Sequence, residues 1–118
     1  MKVYIAGKIT GNPNYREEFA AAERKVRALG YIPLNPAVLP EGLEKADYMR
    51  ICLAMLDSAD AIAPLRSWTT SVGASIEVRL AQYTGKRTIG LHRLPGSVGA
   101  IVPDDFFCAS SKPKETAE

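Results

Sequence analysis

The stretch that most restricts the fold is Lys2-Val3-Tyr4-Ile5-Ala6, a β-branched and aromatic run closed by Gly7, because segments of helical period alternate with such runs along the chain. After the turn Gly7-Lys8-Ile9-Thr10-Gly11-Asn12-Pro13, the residues Phe19, Ala22, Val26 and Leu29 recur at helical spacing until Gly30, and Asn14 with Glu17 has the form of a capping box. Tyr31 to Leu34 predicts a second strand, at an outer position because Pro33 lacks an amide donor. A Pro- and Gly-rich loop follows over 35–42. Tyr48, Ile51, Cys52, Met55 and Leu56 then keep a helical period across 44–57, Ala59 to Leu65 predicts a third strand, and 66–70 is a polar loop. A third helix runs from Ser71 to about Thr84, and Thr88 to Leu91 makes a fourth strand. This succession specifies an α/β fold with a mainly parallel sheet, covered by helices on both faces and joined by right-handed crossovers.

At 118 residues the chain suits one domain, expected over 1–109, with 110–118 as a flexible tail devoid of apolar anchors. Between them Ile101-Val102 and Phe106-Phe107 are the candidate anchors. A net charge of +2, with Lys and Arg scattered, argues against a nucleic-acid polymer as partner. Cys52 and Cys108 stand far apart in no metal-binding pattern, so free thiols are expected and no metal. The first strand is too short for a signal sequence and no later run reaches membrane-spanning length, so a cytoplasmic protein without membrane contact is expected.

In parallel sheets, ligands sit beyond the carboxyl ends of the strands, where the strand order switches. The loops after the first and third strands both open there. Gly7 and Gly11 allow backbone amides of Lys8 and Ile9 to approach a ligand, and serve simple chain reversal equally well. The start of the third helix offers amides of Val72, Gly73 and Ala74 and the Ser71 hydroxyl, a seat for an anion such as phosphate; Ser71 fits equally as a plain helix cap. On a helical wheel Gly73, Ala74, Leu80, Ala81 and Thr84 fall within about 60° of Glu77, so the carboxylate points inward, where it is costly without a partner. Tyr4 is placed to supply that partner, and is otherwise an ordinary core aromatic.

The order Val-Tyr-Ile-Ala-Gly at the start, Leu29-Gly30-Tyr31 with Asn35-Pro36, Asp57-Ser58-Ala59-Asp60-Ala61, and Gly73-Ala74-x-x-Glu77 before Gly85-Lys86 resembles the nucleoside 2-deoxyribosyltransferase superfamily over about Met1 to Leu91. Within it, Asp47-Tyr48-Met49-Arg50 and the run from Trp68 to Glu77 are most similar to an uncharacterised branch common in bacteriophages and prophages. The resemblance implies a single-domain Rossmann- or flavodoxin-like three-layer sandwich with a mainly parallel sheet of four to five strands. It also implies a homodimer or higher oligomer, a nucleotide or nucleoside as small-molecule substrate and no cofactor. Glu77 takes the place of the nucleophile that attacks the anomeric carbon, and Tyr4 that of its hydrogen-bond partner.

Ser71 stands where the transferases carry an acid, as in the similar deoxynucleoside 5′-monophosphate N-glycosidases, and so favours a phosphorylated substrate. Arg66 and Cys52 stand where acids that assist the leaving base are expected. Lys8 and Arg66 are candidate phosphate cations or solvated surface charges, and Trp68 either stacks on a base or closes a loop over the core. Asp57 and Asp60 are assigned to capping and strand entry. Two functions fit: cleavage or transfer at the N-glycosidic bond of a deoxynucleoside 5′-monophosphate, or nucleotide binding and sensing without turnover.

Overall fold

Along Lys2–Ala6 (β1), Val3 and Ile5 turn to one face of the sheet and Tyr4 and Ala6 to the other, and all four are buried, as the central strand of a covered sheet requires. The computed structural model describes residues 1–91. The other elements are α1 (Tyr15–Ala28), β2 (Ile32–Leu34), α2 (Lys45–Ser58), β3 (Ala61–Pro64), α3 (Val72–Tyr83) and β4 (Arg87–Thr88), with short 3₁₀ helices at Pro36–Val38 and Arg66–Thr70. The four strands form one sheet in the order β2-β1-β3-β4, every pair parallel. Pro33 lies on the edge strand β2, opposite Val3, where its missing donor costs nothing.

Two cores flank the sheet. Val3, Ile5, Ala61 and Ala63 meet Phe19, Ala22 and Val26 of α1, together with Leu91. On the other face Tyr4, Ala6 and Ile62 meet Cys52 and Leu56 of α2 and Val78 and Ala81 of α3. The result is the expected three-layer, flavodoxin-like α/β domain.

Local details depart from the sequence reading. Asn14 caps α1 without a side-chain hydrogen bond. Asn12 organises that entry instead, its Oδ1 accepting from the Asn14 amide at 3.2 Å and its Nδ2 donating to Lys8 O at 3.0 Å and Glu18 Oε1 at 3.1 Å. A side chain two residues earlier takes the Asn14 amide that Glu17 would have taken in a capping box, so pattern alone selected the wrong residue. Leu29 lies past the last turn of α1 and is exposed. Asn35 caps the Pro36 turn by accepting from the Ala37 amide at 2.8 Å. β3 is shorter than expected, and β4 starts one residue early and stops at Thr88, leaving Leu91 buried as a core residue beyond the strand. Asp60 accepts from the Lys2 amide at 2.8 Å, which holds its carboxyl below the usual range and pins the entry of β1 to that of β3. His92, Cys108, the apolar pairs at 101–102 and 106–107 and the 110–118 tail lie outside the described residues.

Candidate active site

Strand order reverses at β1: the chain leaves it on one side for β2 and returns on the other for β3. The loops after β1 and β3 therefore part at the carboxyl edge of the sheet and leave a crevice. They are tied at its base by the Leu65 amide donating to Ala6 O at 2.7 Å and the Lys8 amide donating to Ser67 Oγ at 3.0 Å. Gly7 is needed at this junction, since a Cβ there would stand 2.8 Å from Leu65 Cδ1. Its role is packing of loop on loop. With the Lys8 amide committed to Ser67, that loop offers a ligand fewer backbone donors than its glycines suggest.

The crevice continues into a cavity of about 440 Å³. Tyr4, Gly7, Lys8 and Ile9 line it from β1 and the following loop, Lys45, Tyr48, Met49 and Cys52 from α2, and Ser71, Gly73, Ala74 and Glu77 from α3. Of the sequence candidates, Gly11, Arg66 and Trp68 do not line it. Gly11, at φ +79°, shapes the turn. Arg66 borders a second cavity on the α1 side with Glu18, Lys25 and Leu91, and Trp68 packs on the core around Tyr4 and Leu56. On the α2 wall the resemblance placed Cys52 at the site, whereas Lys45, Tyr48 and Met49 were missed. The four are spaced i, i+3, i+4, i+7, one helical face, a period that signals packing as readily as a ligand wall. Tyr48 is fixed over the cavity by donating its hydroxyl to Pro40 O at 2.6 Å.

Glu77 is 6% exposed, the one buried charged side chain among the described residues. The buried face of α3 is made by Ala74, Val78 and Ala81, whereas Leu80 is partly exposed, so the helix is rolled from the orientation the wheel suggested. That roll puts Glu77 at the margin of the buried arc, where helix meets cavity. Burial pushes its carboxyl up to about 7, and a side-chain hydrogen bond from Tyr4 opposes the rise. Tyr4 is itself held strongly upward, first by burial, then by the Glu77 charge and the neighbouring Cys52, so its phenol stays protonated and donates. The Cys52 thiol is raised by burial as well.

At the start of α3 the Ser71 hydroxyl accepts from the Ala74 amide at 3.1 Å. This corrects the expectation of three open amides: Ala74 is taken, while Val72 and Gly73 occupy the first-turn positions that have no acceptor within a helix. The Ser71 hydroxyl keeps its proton to give. Lys8 and Lys45 line the same cavity and, among the described residues, neither is in an ion pair. A cavity with one buried carboxylate ionising near neutrality and a rim of amide, hydroxyl and ammonium donors can hold an anionic ligand at the rim and bring one of its carbons or protons to Glu77. Among the described residues no group of acids, histidines or thiols is arranged to hold a metal, and no helix is long and apolar enough to cross a membrane.

Residues 1–89 match a protein family described as a domain of unknown function, DUF4406. No curated protein matches. Among solved structures, the fold is similar to a 2-desoxiribosyltransferase from Leishmania mexicana, at 22% identity and a TM-score of 0.58 over 75% of this chain and 62% of that one. It is similar also to a 2-deoxyribosyltransferase from the psychrotolerant bacterium Bacillus psychrosaccharolyticus, described as a biocatalyst for nucleoside synthesis, at 20% identity and 0.58 over 75% and 70%. The chain spans less than two thirds of the Leishmania mexicana protein.

Proposed function

The chain belongs to the DUF4406 family, and from that premise we propose that it cleaves, or transfers at, the N-glycosidic bond of a deoxynucleoside 5′-monophosphate, with Glu77 as nucleophile. One observation carries this reading: Glu77, partnered by Tyr4, lines the same cavity as Ser71 and the open amides at the start of the same helix. Six residues separate Ser71 from Glu77, about 9 Å along a helix axis, a span that a pentose 5′-phosphate bridges. Phosphate is held by the Ser71 hydroxyl and the Val72 and Gly73 amides, with Lys8 near. The sugar then presents its anomeric carbon to Glu77, whose oxygen displaces the base; water or a second base resolves the glycosyl-enzyme. The transferase fold of the two neighbours supports the choice of reaction.

Chromatography of deoxynucleoside monophosphates incubated with the protein tests it. Release of free base that is lost in Glu77→Ala is expected, and a panel of common nucleotides left intact argues against turnover.

A second reading, nucleotide binding without turnover, is favoured by a separate fact: among the described residues lining the cavity, Glu77 is the sole carboxylate, so none of them supplies a second acid to the departing base. It predicts thermal stabilisation by a monophosphate that survives Glu77→Gln, with no base released.

A further inference from the structure

The position of the nucleophile decides where a nucleobase must lie. A carboxylate that displaces a base attacks the anomeric carbon from the face opposite the departing nitrogen. With Glu77 and the phosphate seat both on α3, the base is directed across the cavity, toward α2. The two helices face each other there: Met49 Cε lies 3.7 Å from where a Cβ on Gly73 would stand. Among the described residues lining the cavity the aromatic ones are Tyr4 and Tyr48. Tyr4 is buried within β1 and packed into the core, which leaves Tyr48 as the ring on the α2 wall. It sits about one helical turn inward of Lys45 and one outward of Cys52, between rim and floor, and is half-buried. Its hydroxyl gives its proton to Pro40 O at 2.6 Å and accepts from the Leu43 amide at 3.4 Å. The ring is thus set before any ligand arrives, and the hydroxyl has no proton left with which to read the edge of a base.

We propose that Tyr48 is the platform on which the nucleobase stacks, so that the site recognises a deoxynucleoside monophosphate by the face of its base. The inference rests on Glu77 being the nucleophile and on phosphate lying at the start of α3. Stacking tolerates any base, because each has a π-face, and it grows with ring area. Purine monophosphates therefore bind more tightly than pyrimidine ones, and no single base is required.

The test is calorimetric binding in the Glu77→Gln protein, so that it does not depend on turnover. The probes are 2-deoxyribose 5-phosphate, which has no base, deoxycytidine monophosphate and deoxyguanosine monophosphate. The guanine nucleotide is expected to bind about 10- to 100-fold more tightly than the sugar phosphate, with the cytosine nucleotide between them. Tyr48→Leu should abolish most of that advantage and leave the affinity for 2-deoxyribose 5-phosphate unchanged. Tyr48→Phe keeps the ring without its tie to Pro40 and should keep most of the advantage. Tyr48→Leu weakening all three probes alike, Tyr48→Phe losing as much as Tyr48→Leu, or no advantage of base over bare sugar phosphate overturns the platform. Circular dichroism melts establish that each variant is folded. Nuclear Overhauser contacts between base protons and the Tyr48 ring, in tyrosine-labelled protein assigned by Tyr48→Phe, give the same reading with the ring in place, and their absence overturns it as well. A base advantage that depends on the Tyr48 ring, with no base released by the wild type, leaves the platform standing and counts against the proposed cleavage. Failure of all three probes to bind overturns both.

Discussion

Tyr4 on β1 and Glu77 on α3 line the same cavity, and the Tyr4 hydroxyl only partly offsets the cost of burying the carboxylate, which is pushed up to about 7. The fold therefore holds a proton that the unfolded chain releases near 4.5. Between those values the native state binds more protons, so Glu77's contribution to stability is greatest below 4.5, falls as pH rises and levels off above about 7. The loss amounts to up to about 3 kcal/mol. Urea denaturation at pH 5 and pH 8 should show the wild type weaker at pH 8, with most of that difference absent in Glu77→Gln. Equal slopes in both proteins would mean that Glu77 is not the group responsible.

In the proposed reaction the same ionisation acts with the opposite sense. A nucleophilic carboxylate must be charged, so base release from a deoxynucleoside monophosphate should climb about tenfold per pH unit below 7 and flatten above it. Tyr4→Phe removes the interaction that favours the charged form, so the acidic limb should move to higher pH. A pH–rate profile with an acidic limb near 4 would place the titrating group elsewhere.

Gly7 and Leu65 set the base of the crevice by close contact. Gly7→Ala puts a methyl 2.8 Å from Leu65 Cδ1 and 3.0 Å from its Cβ, so the loops after β1 and β3 must separate. A loss of about 1–3 kcal/mol is expected. In a Leu65→Ala background the same substitution should cost clearly less, and a double-mutant cycle by chemical denaturation measures the difference. Additive costs would show that the two residues are not coupled.

How far these features were legible in the sequence differs by residue. The strand and helix order was, because Val3, Ile5, Phe19, Ala22 and Val26 keep simple periods that packing then obeys. Glu77 was legible as an inward carboxylate, although the wheel centred the buried arc on it; Val78, rather than Leu80, takes the core position, a choice made by what α2 and the sheet present to α3. The reach of Asn12, the commitment of the Lys8 amide to Ser67 and the turning of Arg66 to the α1 side depend on how two loops distant in sequence lie against each other, which no local pattern encodes. Of the α2 wall only Cys52 was legible as facing the site, through the resemblance; Lys45, Tyr48 and Met49 were not, since a helix period says what shares a side and not what lies opposite.

Along α3 run Val72, Ile76, Leu80 and Tyr83, spaced i, i+4, i+8 and i+11, with Val72 80% and Tyr83 85% exposed; Val72 and Ile76 also border the cavity. Four large apolar side chains in one stripe are a reason to expect a partner, and a second copy of the chain agrees with the oligomer that the resemblance implies. Light scattering should report a dimer or larger species. Leu80→Glu with Tyr83→Glu, both away from the cavity, should yield a monomer with an unchanged circular dichroism spectrum. A monomeric wild type would leave the stripe to some other surface.

Ser71 separates helix capping from anion binding. Its hydroxyl accepts from the Ala74 amide, so Ser71→Ala removes a cap and should cost about 1 kcal/mol, read from a urea midpoint. The same change removes a donor from the proposed phosphate seat and should raise KM for a deoxynucleoside monophosphate more than for the free nucleoside. Ser71→Asp distinguishes the two roles. Aspartate caps as well as serine, so stability should return to near the wild-type value. Its carboxylate lies beside the incoming phosphate, however, and two like charges at one helix start repel even there. Monophosphate binding should therefore remain weak, or weaken further, in the restored helix. If Ser71→Asp recovers stability and monophosphate affinity together, Ser71 is only a cap and the phosphate, if bound, sits elsewhere along the cavity.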